Sequence, residues 1–372
     1  MSYELSSLDL HFLIKELQVL EGARVDKIYS PSKKELLLQL FLTGQGRKIL
    51  RINAPSYIYL SDFKEEQPER PSGFCALLRK YLDNARLKGI SQLGFERIIE
   101  LAFESKEGSY RLVAELFSKG NLVLCKDDFT IIMPAESQDW KGRSVRQKLK
   151  YVSPKKELNF LELTEKDLRG AIQSSEKSIV KLLAVDIGLG GKYAEELCAV
   201  SGAPKDKLKP DDAEIKKLIA AKNRLLSEKP SPRVYLEAGK IKAATPFGLD
   251  TLNGLETKEF KSYNEAMDYV FTSDIALSSD SKKLSKHQAK IDRLSKIIST
   301  QEEYIAELEK EILEETKKGE AIYTNYQMIG EILKELDKAR AKYSLREMKE
   351  KVKGNKVVKE IKEKEKSVVL EL

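Results

Sequence analysis

Histidine is nearly missing from this chain: of 372 residues only His11 and His287 carry an imidazole, which all but excludes a histidine-built metal cluster or Ser-His-Asp chemistry. Cysteine is almost as scarce. Cys75, Cys125 and Cys198 lie far apart, form no C-x-x-C pair and sit in apolar stretches such as Phe74-Cys75-Ala76-Leu77-Leu78. The expectation is a reduced, intracellular chain without a zinc site. No uninterrupted apolar run approaches membrane-spanning length, so no membrane partner is expected. The first residues, Met1-Ser2-Tyr3-Glu4-Leu5, lack the basic and apolar regions of a secretory signal, and the cytoplasm is the expected location. A Walker phosphate loop and metal-ligand spacings are also missing, so neither a cofactor nor a catalytic centre is expected.

What is present is length and charge. A chain of 372 residues exceeds one ordinary compact domain and suffices for two or three. Its residues are 41% hydrophobic and 34% charged, enough to build a core, with a charge load above the usual quarter or so. Lys and Arg number 66 against 59 acidic residues, and the resulting +7 permits a nucleic-acid partner without demanding one.

Apolar spacing predicts an opening helix through Leu8, Leu10, Phe12, Leu13, Leu17 and Leu20, ended by Gly22. Strand-like runs follow at Arg24–Tyr29, Glu35–Leu42, Arg47–Ile52 and Tyr57–Leu60. Ser30-Pro31-Ser32 and Thr43-Gly44-Gln45-Gly46 read as the turns of an antiparallel meander. Pro71-Ser72-Gly73 introduces a second helix studded with Arg79, Lys80 and Arg86. After Gly94 strands resume at Arg97–Phe103, Tyr110–Phe117, Leu122–Cys125 and Phe129–Met133. Two strand clusters, each preceded by a helix, make an α+β domain over residues 1–172. A helical domain over 173–228 is interrupted by Gly188-Leu189-Gly190-Gly191 and Gly202-Ala203-Pro204. A short β/α segment over 229–274 either rejoins the first domain or stands alone.

From Leu284 onward Ile291, Ile298, Ile305 and Ile312 recur every seven residues, with Leu294, Gln301 and Leu308 in the other seam position. Beyond Gly319 the register continues through Ile322, Tyr326, Ile329, Leu333, Leu336 and Tyr343. This predicts a coiled-coil arm over 281–352, which either folds back on a second helix or self-associates. At about 1.5 Å per residue it extends on the order of 100 Å if unbroken. The end, Ser367-Val368-Val369-Leu370-Glu371-Leu372, reads as a strand opening a further segment from 353, and the full protein is expected to continue.

Six segments together resemble the NFACT family. They are Ser7-Leu8-Asp9-Leu10, Gly22 to Tyr29, Gly73 to Leu82, Phe95-Glu96-Arg97-Ile98-Ile99-Glu100, Gly120-Asn121 and Gly188 to Glu196, in the family's order and with the heptad following. The resemblance implies a first domain similar to formamidopyrimidine-DNA glycosylases, a helix-hairpin-helix domain, a coiled-coil arm, and a C-terminal RNA-binding domain not present here. It also implies partners: tRNA and a large ribosomal subunit holding a stalled peptidyl-tRNA. Members recruit aminoacyl-tRNA for untemplated C-terminal tailing, with the peptide bonds made by the ribosome.

The same resemblance places the family's tRNA contacts on Asp9, Glu96 and Arg97. Chemically the types fit, because a guanidinium holds phosphate or a base edge in bidentate fashion and a carboxylate accepts from a base amino group or a 2′-hydroxyl. Each has a plainer alternative. Asp9 with Ser6 also fits a capping box, and Arg97 also fits a surface ion pair. Glu96 stands where the family usually has Asp, and neighbours in a regular strand face opposite ways, so joint action of Glu96 and Arg97 requires a bulge or a strand end. Gly188, Gly190 and Lys192 are candidates for holding a nucleic-acid backbone at a helix start, against a plain interhelical turn. Arg79 and Lys80 are further candidates, as is the cluster Lys141, Arg143, Arg146, Lys148 and Lys150 beside Trp140 and Tyr151, which mixes charge with stacking surface. Lys282, Lys283, Lys286, Lys290, Arg293 and Lys296 lean basic near the base of the arm.

Two competing functions remain open at this level. One is a DNA-binding protein of glycosylase ancestry, although Ser2 stands where those enzymes need a proline and Gly191 replaces their Gly-Leu-Gly-Asn asparagine. The other is a surface adhesin, against which the missing signal peptide argues.

Overall fold

Helix α1 (Ser7–Leu17) begins where Ser6 and Asp9 cap each other. The Ser6 hydroxyl accepts from the Asp9 N–H at 3.1 Å, and the Asp9 carboxylate accepts from the Ser6 N–H at 2.9 Å. Two of the N–H groups that a helix start leaves without partners are satisfied this way. This computed structural model describes residues 4–61, 71–140, 142–154, 156, 158–362, 365 and 367–372, the side chains of 273–290 excepted. It divides into two units, Met1–Ser278 and Ser279–Leu372.

In the first unit a helix-then-strands order is used twice. α1, extended by a 3-10 turn to Leu20 and stopped at Gly22, leads into β1 (Arg24–Ser32), β2 (Glu35–Leu42), β3 (Gly46–Asn53) and β4 (Tyr57–Ser61). Helix α2 (Gly73–Leu82), capped by Ser72, leads into β5 (Arg86–Gln92), β6 (Ile98–Ser105), β7 (Gly108–Glu115), β8 (Asn121–Lys126) and β9 (Ile131–Pro134). All nine strands form one sheet ordered β4-β3-β2-β1-β5-β6-β7-β8-β9. The two meanders are therefore one antiparallel sheet, joined where β1 and β5 pair through Arg24 and Arg86. The helices cross over the join: α1 packs on β5 and α2 on β1. Each is tied there by one side chain, the Gln18 amide donating to the Ile90 carbonyl at 2.7 Å and the Arg79 guanidinium to the Ile28 carbonyl at 2.7 and 2.9 Å.

Three local readings change. Ser30-Pro31-Ser32 is not a turn but the end of β1, with Lys33 and Lys34 making the corner. Arg86 belongs to no helix; it opens β5, a strand that buries little beyond Leu87 and Ile90 and so carries almost no periodic signal. The stretch around Trp140 forms a small hairpin, β10 (Gln138–Trp140) with β11 (Arg143–Val145).

Beyond the sheet come α3 (Glu165–Ser174), α4 (Ile179–Lys181) running into a π-helical turn to Asp186, α5 (Gly191–Ser201) and α6 (Asp212–Ser227). A three-stranded sheet follows, built from β12 (Arg233–Glu237), β13 (Lys240–Thr245) and β14 (Glu256–Glu259), and then the start of α7 (Tyr263–Thr324). One buried apolar cluster runs from Leu5 to Phe271 and includes Leu182, Leu197, Leu218, Val234 and Met267, so helices and both sheets share a core. Glu16 of α1 accepts from the N–H groups of Tyr263 and Asn264 at 2.8 Å each and thereby fixes the first turn of α7.

In the second unit α7 continues to Thr324, Asn325 interrupts it, and α8 (Tyr326–Arg340) and α9 (Leu345–Lys351) follow. The heptad residues Ile291, Leu294, Ile298, Ile305, Leu308 and Ile312 lie on one continuous helix and stay 38–65% exposed. The predicted heptad is thus helical, with its apolar positions open among the described residues. Ser367–Leu370 (β16) pairs back on Val358–Lys362 (β15) as a hairpin. The side chains of Lys282, Lys283, Lys286 and Lys290, and the whole of Lys141, lie outside the described residues.

One glycine is fixed by close approach. Gly120 has φ +65°, and a Cβ there would stand 2.5 Å from the carbonyl carbon of Ala54 and 2.6 Å from the Pro55 nitrogen, both backbone atoms that cannot swing aside. Gly120→Ala is expected to lose about 2 to 4 kcal/mol of stability through combined clash and backbone strain. Gly44 has φ +82° but open space around it, so Gly44→Ala is expected to lose only about 1 kcal/mol, both measured by denaturant unfolding.

Candidate functional site

Glu96 and Arg97 sit in the turn that carries the chain from β5 into β6, just ahead of the strand, so the opposed facing of strand neighbours does not apply to them. Local bonds set this turn. The Leu93 N–H donates to the Ile98 carbonyl at 2.9 Å, and the Leu116 N–H of the next strand's end donates to the Arg97 carbonyl at 2.7 Å. The Gln92 amide donates to the Glu96 carbonyl and, at the same 2.9 Å, to the Ser7 carbonyl in the first turn of α1.

Arg97 keeps 25% of its side chain exposed and donates to the Glu4 carboxylate at 2.8 Å and the Pro55 carbonyl at 3.2 Å. Its Nε is buried without a hydrogen-bond partner among the described residues. Glu96 lines a cleft of about 600 Å³ together with Phe129, Tyr151, Ser153 and Lys156. Burial raises the Glu96 carboxyl above the usual carboxylate range, against the opposing pull of the Lys156 ammonium. The Phe129 and Tyr151 rings in this cleft lie nearly parallel, 6.4 Å apart. Glu96 thus stands on the rim of this cleft, while the Arg97 guanidinium turns toward Glu4 and Pro55 outside its lining. A half-buried acid and a partly exposed guanidinium on one turn are groups able to hold a base edge and a phosphate.

Asp9 is not on that rim. Its side chain is 1% exposed, and its carboxylate accepts from the Ser6 N–H and hydroxyl, from the Lys192 ammonium at 3.2 Å, and from the hydroxyls of Tyr193 and Tyr263, the latter at 2.7 Å. The capping alternative for Asp9 holds, and the same carboxylate also joins α1 to α5 and to the start of α7. An outside base finds no acceptor at Asp9 in this arrangement. Lys192 shares this node: its ammonium, on a side chain 22% exposed, donates to Asp9 and to the Ala244 carbonyl at 2.9 Å.

The glycine turn before α5 is partly committed as well. Gly188 and Gly190 both take φ +83°, and the N–H groups of Leu189 and Gly190 donate to the Leu183 and Ala184 carbonyls at 3.1 Å each. Helix α5 has no side-chain cap at Gly190. Lys156 lies over Gly188, its ammonium where a Cβ would stand, and donates to the Val185 carbonyl at 3.2 Å, so this one lysine adjoins both the glycine turn and Glu96.

The remaining basic candidates are dispersed. Arg79 is used on Ile28, and Lys80 is exposed beside Tyr81 in a separate cleft with Arg24 and Arg86. Arg143 is paired with the buried Glu115 and wedged between the Trp140 and Tyr151 rings, at 5.0 and 5.2 Å, so it supports the cleft wall instead of facing outward. Arg146 pairs with Asp139 and Lys150 with Asp128 on the surface. Lys148 is exposed in a left-handed turn at φ +71°. Sequence reading missed Lys156, Gln92, Glu4 and the two tyrosines of the Asp9 node. Tyr193 lay within a noted motif, but nothing in a linear sequence pairs it with residues 9 and 263. Among the described residues no group of three or more His, Cys, Asp or Glu is placed to hold a metal, and no helix is long and apolar enough to cross a membrane.

A family model described as NFACT N-terminal and middle domains matches residues 6–366. The chain is 32% identical to the archaeal Rqc2 homolog aRqcH of Methanocaldococcus jannaschii over 96% of its own length and 55% of that protein. To the Drosophila melanogaster ribosome quality control complex subunit NEMF homolog it is 23% identical over 91% of its length and 40% of that protein. It thus spans about half the length of these curated relatives. The crystal structure of the fibrinogen binding protein from Staphylococcus aureus shares the fold, with 20% identity and a TM-score of 0.60 over 72% of this chain and 98% of that one.

The two kinds of residue separate by stability. Asp9→Ala removes the buried acceptor shared by the Lys192 ammonium and the Tyr193 and Tyr263 hydroxyls and is expected to cost about 3 to 5 kcal/mol. Arg97→Ala removes a surface pair and is expected to cost under about 1 kcal/mol. Guanidinium unfolding midpoints of the two variants check both figures.

Proposed function

The chain belongs to the NFACT family, and from that premise we propose that it binds tRNA and the large ribosomal subunit in ribosome quality control. In this reading it recruits aminoacyl-tRNA for untemplated C-terminal tailing of a stalled nascent chain, in the cytoplasm and without a catalytic centre of its own. The observation that carries the proposal is the Glu96–Arg97 turn, which sets a half-buried acid at the edge of a cleft and, next to it in the chain, a partly exposed guanidinium. The relatives named for ribosome quality control support the setting. The work asked of these residues is positioning, so affinity for tRNA is the quantity they set.

The finer architecture belongs to the same proposal. The positive-φ glycine turn before the uncapped α5 supports a helix-hairpin-helix reading of residues 173–228. The open heptad seam of α7 supports a coiled-coil arm completed by another helix, whether from the longer protein or from a second copy. A glycosylase-like ancestry of the first domain is retained without its chemistry, since Ser2 replaces the nucleophilic proline. Fibrinogen binding is a property of the staphylococcal protein, and at 20% identity the likeness reaches the fold alone.

Arg97→Ala and Glu96→Ala are each expected to weaken tRNA binding about ten- to a hundredfold, the loss of one charge-assisted contact, with melting temperature nearly unchanged. Filter binding beside thermal denaturation reads both quantities, and full affinity in Arg97→Ala refutes the site. In cells with induced stalling the full-length protein is expected to co-sediment with free large subunits in sucrose gradients. Recovery only in the ribosome-free top fractions would count against the ribosomal setting.

A further inference from the structure

We infer that Asp9 is a positioning residue: it aligns the Glu96–Arg97 turn with the start of α5 and the base of α7, and it touches no RNA itself. The inference deepens the tRNA reading and rests on it.

Three segments distant in sequence end on one carboxylate. One Asp9 oxygen takes the Tyr193 and Tyr263 hydroxyls, the other takes the Ser6 N–H and hydroxyl, and the Lys192 ammonium lies 3.2 and 3.3 Å from the two. Reaching an outside base would break several of these bonds at once, and the two tyrosine bonds are made where water cannot replace them. The donors identify what the carboxylate holds: Tyr193 and Lys192 open α5, and Tyr263 opens α7.

From the same turn of α1 two further contacts lead to the RNA-binding rim. Ser7, adjacent to the cap, accepts at its carbonyl from the Gln92 amide, which also grips the Glu96 carbonyl, and Glu4, just before the cap, receives the Arg97 guanidinium. The first turn of α1 therefore stands between the rim on one side and the starts of α5 and α7 on the other. Lys156, beside both Glu96 and Gly188, spans the same gap by a second route. If Asp9 no longer orients this turn, Glu4 and Ser7 lose their place, and the geometry of Glu96 and Arg97 loosens with them. Loss of tRNA binding on mutating Asp9 then follows without any contact between Asp9 and RNA.

The test uses the full chain and unfractionated tRNA, with affinity measured well below every variant's melting temperature. The decisive variant is Tyr193→Phe with Tyr263→Phe, which leaves Asp9 in place, preserves side-chain volume and removes only the two hydroxyl donors. Positioning predicts that this double variant weakens tRNA binding about tenfold and raises amide hydrogen exchange in residues 92–97 while exchange in β2 and β3 stays unchanged. Asp9→Asn, which keeps an oxygen for both tyrosines, is expected to bind more tightly than Asp9→Ala. Wild-type affinity in the double tyrosine variant, with loss in Asp9→Ala, overturns the inference in favour of direct contact. A lowered melting temperature with unchanged affinity and unchanged exchange at 92–97 also overturns it, since the node would then be structural only. Arg97→Ala serves as the separate control: if it binds tRNA normally, the tRNA reading itself fails, and the exchange result at 92–97 still decides whether Asp9 orients the turn.

Discussion

The buried carboxylate of Asp9 is the constraint on which the rest of the first unit depends. A charge removed from water is tolerable only where donors surround it, and each donor must then be held at hydrogen-bonding distance. Here the donors come from residues 6, 192, 193 and 263, so meeting the needs of one side chain fixes the relative placement of α1, α5 and α7. Glu16, two turns further along the same face of α1, repeats the device by accepting from the first two N–H groups of α7. The base of the long helix is thus anchored by carboxylates of α1, in addition to the apolar packing of Ala266, Met267 and Val270.

Around that anchor the sheet is built by repetition. Two helix-plus-meander halves meet along a short β1–β5 join, and each helix lies on the other half's first strand, which distributes the apolar burial across the seam. The Glu96–Arg97 turn lies at the entry to β6, at the opposite end of β5 from this join and adjacent to the first turn of α1. A surface loop so placed is held by rigid neighbours on both sides, the arrangement in which a binding geometry is maintained without a ligand present.

Much of this was legible in the residues. Glu35–Leu42 forms β2 with the bounds that its apolar run predicts, and the apolar spacing of Leu8 to Leu17 gives α1. Where the signal failed, the cause is physical: β5 buries too few side chains to show a period, and β10 and β11 have three residues each, with Trp140 exposed and Arg143 paired to Glu115. Lys192 illustrates a different limit. Its position at a glycine-rich helix start suggests a phosphate contact, but a flexible side chain also reaches a buried charge, and that charge is 183 residues away in sequence.

Local chemistry, read from the sequence by itself, determined the succession of helices and strands, the cap at Ser6, the heptad along α7 and the family resemblance. Each of these depends on residues within a few positions of one another, where periodicity and backbone preference act. Tertiary structure decided which charged residues face outward. Arg97 keeps a quarter of its side chain exposed while Arg143 and Asp9 turn inward, because the fate of a charge depends on the partners that folding brings to it, and Glu115, Tyr193 and Tyr263 reach those positions only when distant segments pack together.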